Sequence, residues 1–343
     1  MNVVSDKAST RDPAALLMGF AMGMRQTQML RAAAALGIAD HLADEALHAA
    51  AIAAGIGADA DALSRLLRAL ASLGIFEALP DGRYANNSAS RLLRANQPGS
   101  LRDMVLLYGS DWLCAAYARL EHSLRTGQPG FDAAHGMPFY PWLDRHPEAA
   151  EAFGRAMADF SAQEVGAVIA AWPAPQARHL VDVGGGTGSL VAALLRAMPG
   201  LTATLVERPE VAARAERELA EAGLAHRVRC LGGDAFSALP EGGDVYVLKS
   251  VLHNCADAQA VALLGACRRA MGADARLIIA ERILPETGGA SAGTLFDINM
   301  LVVTGGRERA LADYAALSAE AGFAPPRLLP THSSLSLVEA FPA

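Results

Sequence analysis

The ten residues Val181-Asp182-Val183-Gly184-Gly185-Gly186-Thr187-Gly188-Ser189-Leu190 decide how the chain is read. An apolar run from His179 to Val183 ends in three spaced glycines, and the apolar helical pattern SLVAALLRAM follows at once. Glycine at such a strand-to-helix junction permits a tight turn and lets a ligand approach the backbone with no Cβ in the way. The next extended run, TATLVE, ends in Glu207, which lies 19 residues beyond Gly188. That is close to the ~20 expected of a carboxylate that accepts hydrogen bonds from ribose hydroxyls, so the pair points to an adenosine ligand.

The loop itself narrows the choice of ligand. It reads GxGxG, with Ser189 where the third glycine of a dinucleotide fingerprint would stand, and it is not the GxxxxGK phosphate loop. Asp182, just before the turn, would repel a pyrophosphate and suit the ammonium group of a methionine moiety. A nucleoside joined to an amino acid is favoured, and a dinucleotide stays as the alternative.

Working outward, the segments HLVDV, SLVAALLRAM, TATLVE, PEVAARAERELAEAG, RVRCLGG, DVYVLKSVLH, AQAVALLGACRRAM and ARLIIAE alternate strand and helix patterns. Such alternation predicts a parallel sheet covered by helices on both faces. The helix ALADYAALSAEAG and two extended pieces, PRLLP and SSLSLVEAF, complete it. Upstream of about Arg178 the apolar residues recur at helical spacing, as in Leu63, Leu66, Leu67, Leu70 and Leu73. From Ala33 to Leu93 the order is helix, turn, helix, then two short extended pieces, GIFEAL and GRYANN, a winged-helix pattern. The proline-bearing WPAPQAR, residues 172–178, is the natural boundary. We therefore expect a mainly α winged-helix part over 1–100, a helical linker and acceptor-pocket region over 101–177, and an α/β doubly wound, Rossmann-like domain over 178–343.

With 343 residues, of which 52% are apolar and 19% charged, the chain has material for more than one core. Its formal charge of −7 offers no broad positive field for phosphate backbones or anionic lipid. Arg65 and Arg68, on the second helix of the winged pattern, are too few for a DNA footprint. The opening MNVVSDKASTRDP lacks the features of a signal peptide, and no run has the ~18–20 apolar residues of a membrane span, so a cytoplasmic protein is expected. Cys114, Cys230, Cys255 and Cys267 form no CxxC pair and read as free thiols. The early helix AALLMGFAMGM has a broad apolar face that a second domain or a twin chain must cover.

LGIADHLA and LSRLLRALASLGIF, followed in order by VDVGGGTGSL, GGDAF, VLKSVLHN, AERILPE, DINMLVV, GGRERA and AEAGF, carry a family likeness over nearly the whole chain. The chain resembles the S-adenosylmethionine-dependent small-molecule O-methyltransferases of plants and bacteria, in which a winged-helix dimerisation domain precedes a class I methyltransferase domain. The resemblance implies a homodimer formed through the N-terminal domain. It also implies S-adenosyl-L-methionine as cofactor, S-adenosyl-L-homocysteine as its product, no metal, and a small hydroxylated acceptor of aromatic or polyketide type. Cofactor contacts are implied for Asp182, Gly184 and Gly186, with Glu207 at the ribose. Asp234, Ala235 and Phe236 are implied near the adenine, and Lys249 beside the sulfonium ligand. His253 becomes the general base, flanked by Glu281 and Glu308, and Phe153, Met157, Asn299 and Met300 surround the acceptor.

The residues support that base assignment independently. His253 ends a predicted strand, and ligands of open α/β sheets lie beyond the carboxyl ends of strands. Imidazole is neutral at pH 7 in good part and can take a proton from an acidic hydroxyl. Glu281 ends the following strand, on the same rim. Lys249, in the apolar run VYVLKSVL, needs a partner, and a cofactor carboxylate is one candidate. Phe153 and Met157 read equally well as helix core. The chain departs from the family at Asn254 and Cys255, where Asp-Trp is usual, and at Ala310, where a threonine is usual. Those departures motivate an alternative, a family member that binds the cofactor yet catalyses a rearrangement, decarboxylation or hydroxylation.

Overall fold

A computed structural model of the chain describes residues 12–95, 97, 99–287 and 291–343. The opening segment read as having no signal peptide lies, up to Arg11, outside the described residues. Two compact units emerge: residues 12–114 with Pro147–Phe160, and Ala115–His146 with Ser161–Ala343.

In the first unit short helices pack beside a small sheet. Asp59 caps the helix Ala60–Ser72 by accepting from the Ala62 amide at 2.8 Å, which satisfies a donor the helix cannot. Leu63, Leu67 and Leu70 on that helix are buried with Ile38, Leu42, Ile52 and Phe76, whereas Arg65 and Arg68 face solvent. Strands β1 (Leu47–His48), β2 (Phe76–Ala78) and β3 (Arg83–Asn86) form an antiparallel sheet in the order β1-β3-β2. The helix Pro13–Ala21 begins with proline and an Asp12 cap and buries none of its residues; Leu17 is 69% and Phe20 76% exposed in the single chain.

The second unit contains β4 (His179–Val183), β5 (Thr202–Glu207), β6 (Val228–Gly232), β7 (Val245–Lys249), β8 (Arg276–Glu281), β9 (Ile283–Leu284), β10 (Arg309–Ala310), β11 (Arg327–Pro330) and β12 (Ser336–Ala340). Seven of them form one sheet in the order β11-β12-β8-β7-β4-β5-β6. Neighbours from β8 to β6 run parallel, and β12 pairs antiparallel with both β8 and β11. Alternate residues serve opposite cores: Val181, Val183, Tyr246, Leu248, Leu277 and Ile279 on one face, and Leu180, Val245, Val247, Ile278 and Ala280 on the other. Burial on both faces is why these strands read as continuous apolar runs. The chain steps outward from β4 to β5 and β6, then returns to the other side with β7 and β8. The order therefore reverses between β4 and β7, and a crevice opens at their carboxyl ends.

A second, two-stranded pairing escaped the sequence reading. β9 and β10 lie parallel, with Arg309 opposite Ile283, and this brings the segment carrying Glu308 beside the end of β8.

Candidate active site

At the carboxyl end of β4, Gly184, Gly186 and Gly188 all take positive φ, of +73°, +58° and +85°. No heavy atom lies within 4 Å of where a Cβ on Gly186 would stand, so glycine is required there by conformation, and the space beside the turn is open. Asp182 lies beneath the turn, close enough that a Cβ on Gly185 would meet its Oδ2 at 2.5 Å. Both Asp182 oxygens are buried without a hydrogen-bond donor among the described residues. Burial pushes its pKa up to about 7; the Lys249 charge opposes the rise and the Glu207 charge adds to it. A buried carboxylate without donors is costly, and a cationic ligand group would relieve it.

Glu207, at the end of β5, accepts from the Gly186 amide at 3.2 Å and from the Arg208 amide at 2.8 Å, so its carboxylate stands at the lip of the turn. Gly232 of β6 is in register with Glu207 and leads directly to Asp234. Asp234 is exposed and accepts from the Phe236 amide at 3.0 Å and the Ser237 hydroxyl at 2.8 Å, which hold its pKa down in that order. Phe236 is exposed and Ala235 half-buried.

His253 does not end a strand. β7 stops at Lys249, Ser250 adopts φ +56°, and the histidine sits on a short 3₁₀ turn, Leu252–Asn254. One Glu281 oxygen accepts from the Val251 amide at 2.9 Å and the His253 amide at 3.3 Å, which holds the redirected backbone over the end of β8. The other Glu281 oxygen is 3.2 Å from His253 Nδ1, and Glu308 Oε1 is 3.0 Å from the same nitrogen. All three groups are buried. Burial works to depress the imidazole pKa, but the Glu281 charge, then the hydrogen bond and charge of Glu308, outweigh it and the net direction is upward. Glu281 is itself raised, chiefly by burial, with the Glu308 charge adding and His253 opposing. Two carboxylates at Nδ1 keep the ring proton there. The ring's contacts with Glu281 and Glu308 both fall at Nδ1, which leaves the Nε2 lone pair available as a base.

Glu308 reaches this position because its own loop is pinned. Its amide donates to Asp297 Oδ1 at 2.8 Å, and the Arg307 amide donates to the His253 carbonyl at 2.8 Å. A side chain on Gly306 would run into that carbonyl. The Phe296 ring lies 6.0 Å from the His253 ring and is covered on one side by Arg282 at 4.3 Å. Asn299, one turn along the same helix, Ala292–Val303, accepts from the Tyr117 hydroxyl at 2.8 Å, and Met300 is buried. Phe153 and Met157 are half-buried residues of the other compact unit.

Lys249 has a partner within the chain. Its ammonium pairs with Glu164 at 3.4 Å, and that carboxylate also accepts from Arg282 at 2.7 Å and the Ser334 hydroxyl at 2.8 Å. Burial makes such a partner obligatory, and it comes from the helix Pro147–Ala170. Glu164, Asp297 and Arg282 were not singled out from the sequence. The only cue was charge inside apolar runs such as SAQEVGAVIA, the reasoning that marked Lys249.

With this geometry established, known proteins settle the family. Residues 117–324 match the O-methyltransferase domain and residues 18–96 the O-methyltransferase dimerisation domain. The chain belongs to the O-methyltransferase family. Among its relatives, the phenazine O-methyltransferase PhzM of Lysobacter antibioticus is 37% identical over 98% of this chain and 99% of that protein. The mitomycin biosynthesis 6-O-methyltransferase of Streptomyces lavendulae is 39% identical over 90% and 88% of the respective chains. Among solved structures, the O-methyltransferase NcsB1 from neocarzinostatin biosynthesis, in complex with S-adenosylmethionine and 2-hydroxy-5-methyl naphthoic acid, superposes with a TM-score of 0.80. It is 34% identical, over 93% of this chain and 96% of that one.

The methyltransferase is an S-adenosylmethionine-dependent enzyme, and its first unit contains the domain through which it forms a homodimer. The residues fit that cofactor: a buried carboxylate lacking donors, an open glycine turn and a second carboxylate at its lip. Among the described residues no helix is long and apolar enough to cross a membrane.

Proposed function

We propose that this methyltransferase acts on a phenolic hydroxyl of a small aromatic or polyketide-like metabolite of secondary metabolism, in the cytoplasm, with His253 as general base. The observation that carries the proposal is the buried imidazole with two carboxylates at Nδ1 and a free Nε2, standing at the carboxyl end of the sheet. Asp182, Gly184, Gly186, Glu207, Asp234, Ala235, Phe236 and Lys249 hold the cofactor, with Asp182 matched to its ammonium group and Glu207 to its ribose. Phe296, Asn299 and Met300 present an apolar wall with one polar group, suited to a flat acceptor. We read 1–100 as the dimerisation part, 101–177 as linker and acceptor region, and 178–343 as the cofactor domain.

When bound, the sulfonium supplies a methyl group already activated for transfer. The chain's tasks are to orient the acceptor oxygen and to remove its proton. Orientation is worth of order 7–11 kcal/mol for a well-aligned pair. General-base assistance adds roughly 10²–10⁴ in rate, so positioning is the larger contribution. His253 Nε2 takes the hydroxyl proton, Nδ1–H stays with the glutamates, and their negative charge stabilises the imidazolium that forms.

The reading is tested by incubating the protein with methyl-labelled S-adenosylmethionine and a panel of hydroxyarenes. We expect a labelled product heavier by one methylene unit. A product that is rearranged, decarboxylated or oxygenated, with no label, would establish the alternative reaction instead.

A further inference from the structure

Arg309 is the largest of the fully buried side chains among the described residues, 1% exposed, and none of the roles proposed above uses it. Its Nη1 donates to the Leu252 carbonyl at 2.8 Å and its Nη2 to the Cys255 carbonyl at 2.7 Å. Those two carbonyls bracket His253 and Asn254. The other edge of the guanidinium, Nε and Nη2, donates at 3.1 and 2.7 Å to one oxygen of Asp257, the first residue of the helix Asp257–Ala270. The two preceding residues grip the same turn, through the Arg307 amide at the His253 carbonyl and the Glu308 carboxylate at Nδ1. One short segment therefore fixes the turn at three carbonyls, those of Leu252, His253 and Cys255, and at the ring itself.

We propose that Arg309, oriented by Asp257, is a positioning residue that sets where His253 Nε2 stands relative to the acceptor hydroxyl. The chemistry requires arginine. Only a planar fork with five donors can span two carbonyls and an acid at once, and a lysine ammonium, a compact point charge, cannot. The pairing of β9 with β10 delivers the guanidinium to the turn, so the two-residue strands acquire a role in the base geometry. The inference rests on the reading of His253 as the base.

The experiment compares full-length R309K, D257N and H253Q with the wild type. It measures melting temperature, calorimetric affinity for S-adenosylhomocysteine, kcat and KM for an accepted hydroxyarene, and the pH profile, all well below the lowest melting point. For R309K we expect product affinity within about 3-fold of wild type, KM little changed and kcat down by about 10- to 100-fold, the loss a misplacement near 1 Å produces. The pH inflection should fall as Glu308 loosens from Nδ1, and D257N should show the same pattern more weakly. R309K with wild-type kcat and pH profile, whatever its melting point, would overturn the proposal. Should R309K not fold, D257N decides by the same readouts, because its carboxylate is half-exposed and dispensable to the core. Wild-type turnover in H253Q would instead overturn the base assignment, so the two failures are separable.

Discussion

An imidazole with one nitrogen between two buried glutamates and the other free is matched to a single task, taking a proton at the free nitrogen. Because the His253 pKa lies above 6.5 and the neutral ring is the working form, kcat/KM should climb through an inflection above pH 6.5. Glu308→Gln removes a hydrogen bond and a charge that both favour the protonated ring. Its inflection should move to lower pH, with a plateau lower by about 10²-fold because the ring is less well held. A rate profile indifferent to this substitution would remove Glu308 from the site. His253, Glu281 and Glu308 were legible as types of residue in recognisable stretches. The partner of Lys249 was not, because Glu164 lies 85 residues away and a carboxylate at helical spacing ordinarily faces solvent. Nor was the role of Arg309: a charged residue in the polar run GGRERA shows nothing of its complete burial until the loop is folded against the turn.

At the level of elements, the turn after β4 and the turn after β7 depend on each other. A Cβ on Gly184 would stand 2.8 Å from Val251 Cγ2, and Val251 is the residue whose amide Glu281 holds. Gly184→Ala should therefore cost about 1–2 kcal/mol from the left-handed backbone alone. We also expect at least roughly 10-fold weaker binding of S-adenosylhomocysteine, as a shifted backbone no longer fits the ligand. Calorimetry and thermal denaturation check both; unchanged affinity would show that the turn does not touch the cofactor. The long strands and helices were visible because periods of 2 and 3.6 need only a handful of residues to declare themselves. Elements of two residues carry no period, which hides β1, β9 and β10. The break at Ser250 was hidden as well, because the apolar run VYVLKSVL continues past a residue whose left-handed backbone ends the strand.

For the whole molecule, the helix Pro13–Ala21 has no buried residue in the single chain, and its apolar side chains have no inward stripe to account for them. A second copy explains them, and the dimerisation domain overlaps this helix from residue 18. Phe20→Asp leaves each unit's core untouched and should shift sedimentation toward monomer at micromolar concentration; an undisturbed dimer would place the interface elsewhere. The sequence anticipated the need for a cover and not its geometry, since covering surfaces belong to pairs of chains. Whether His253 is the base is read from the single-turnover rate of methyl transfer in His253→Gln with cofactor and acceptor both saturating. We expect a fall of about 10²–10⁴-fold with cofactor affinity retained, and transfer at the wild-type rate would show that another group takes the proton.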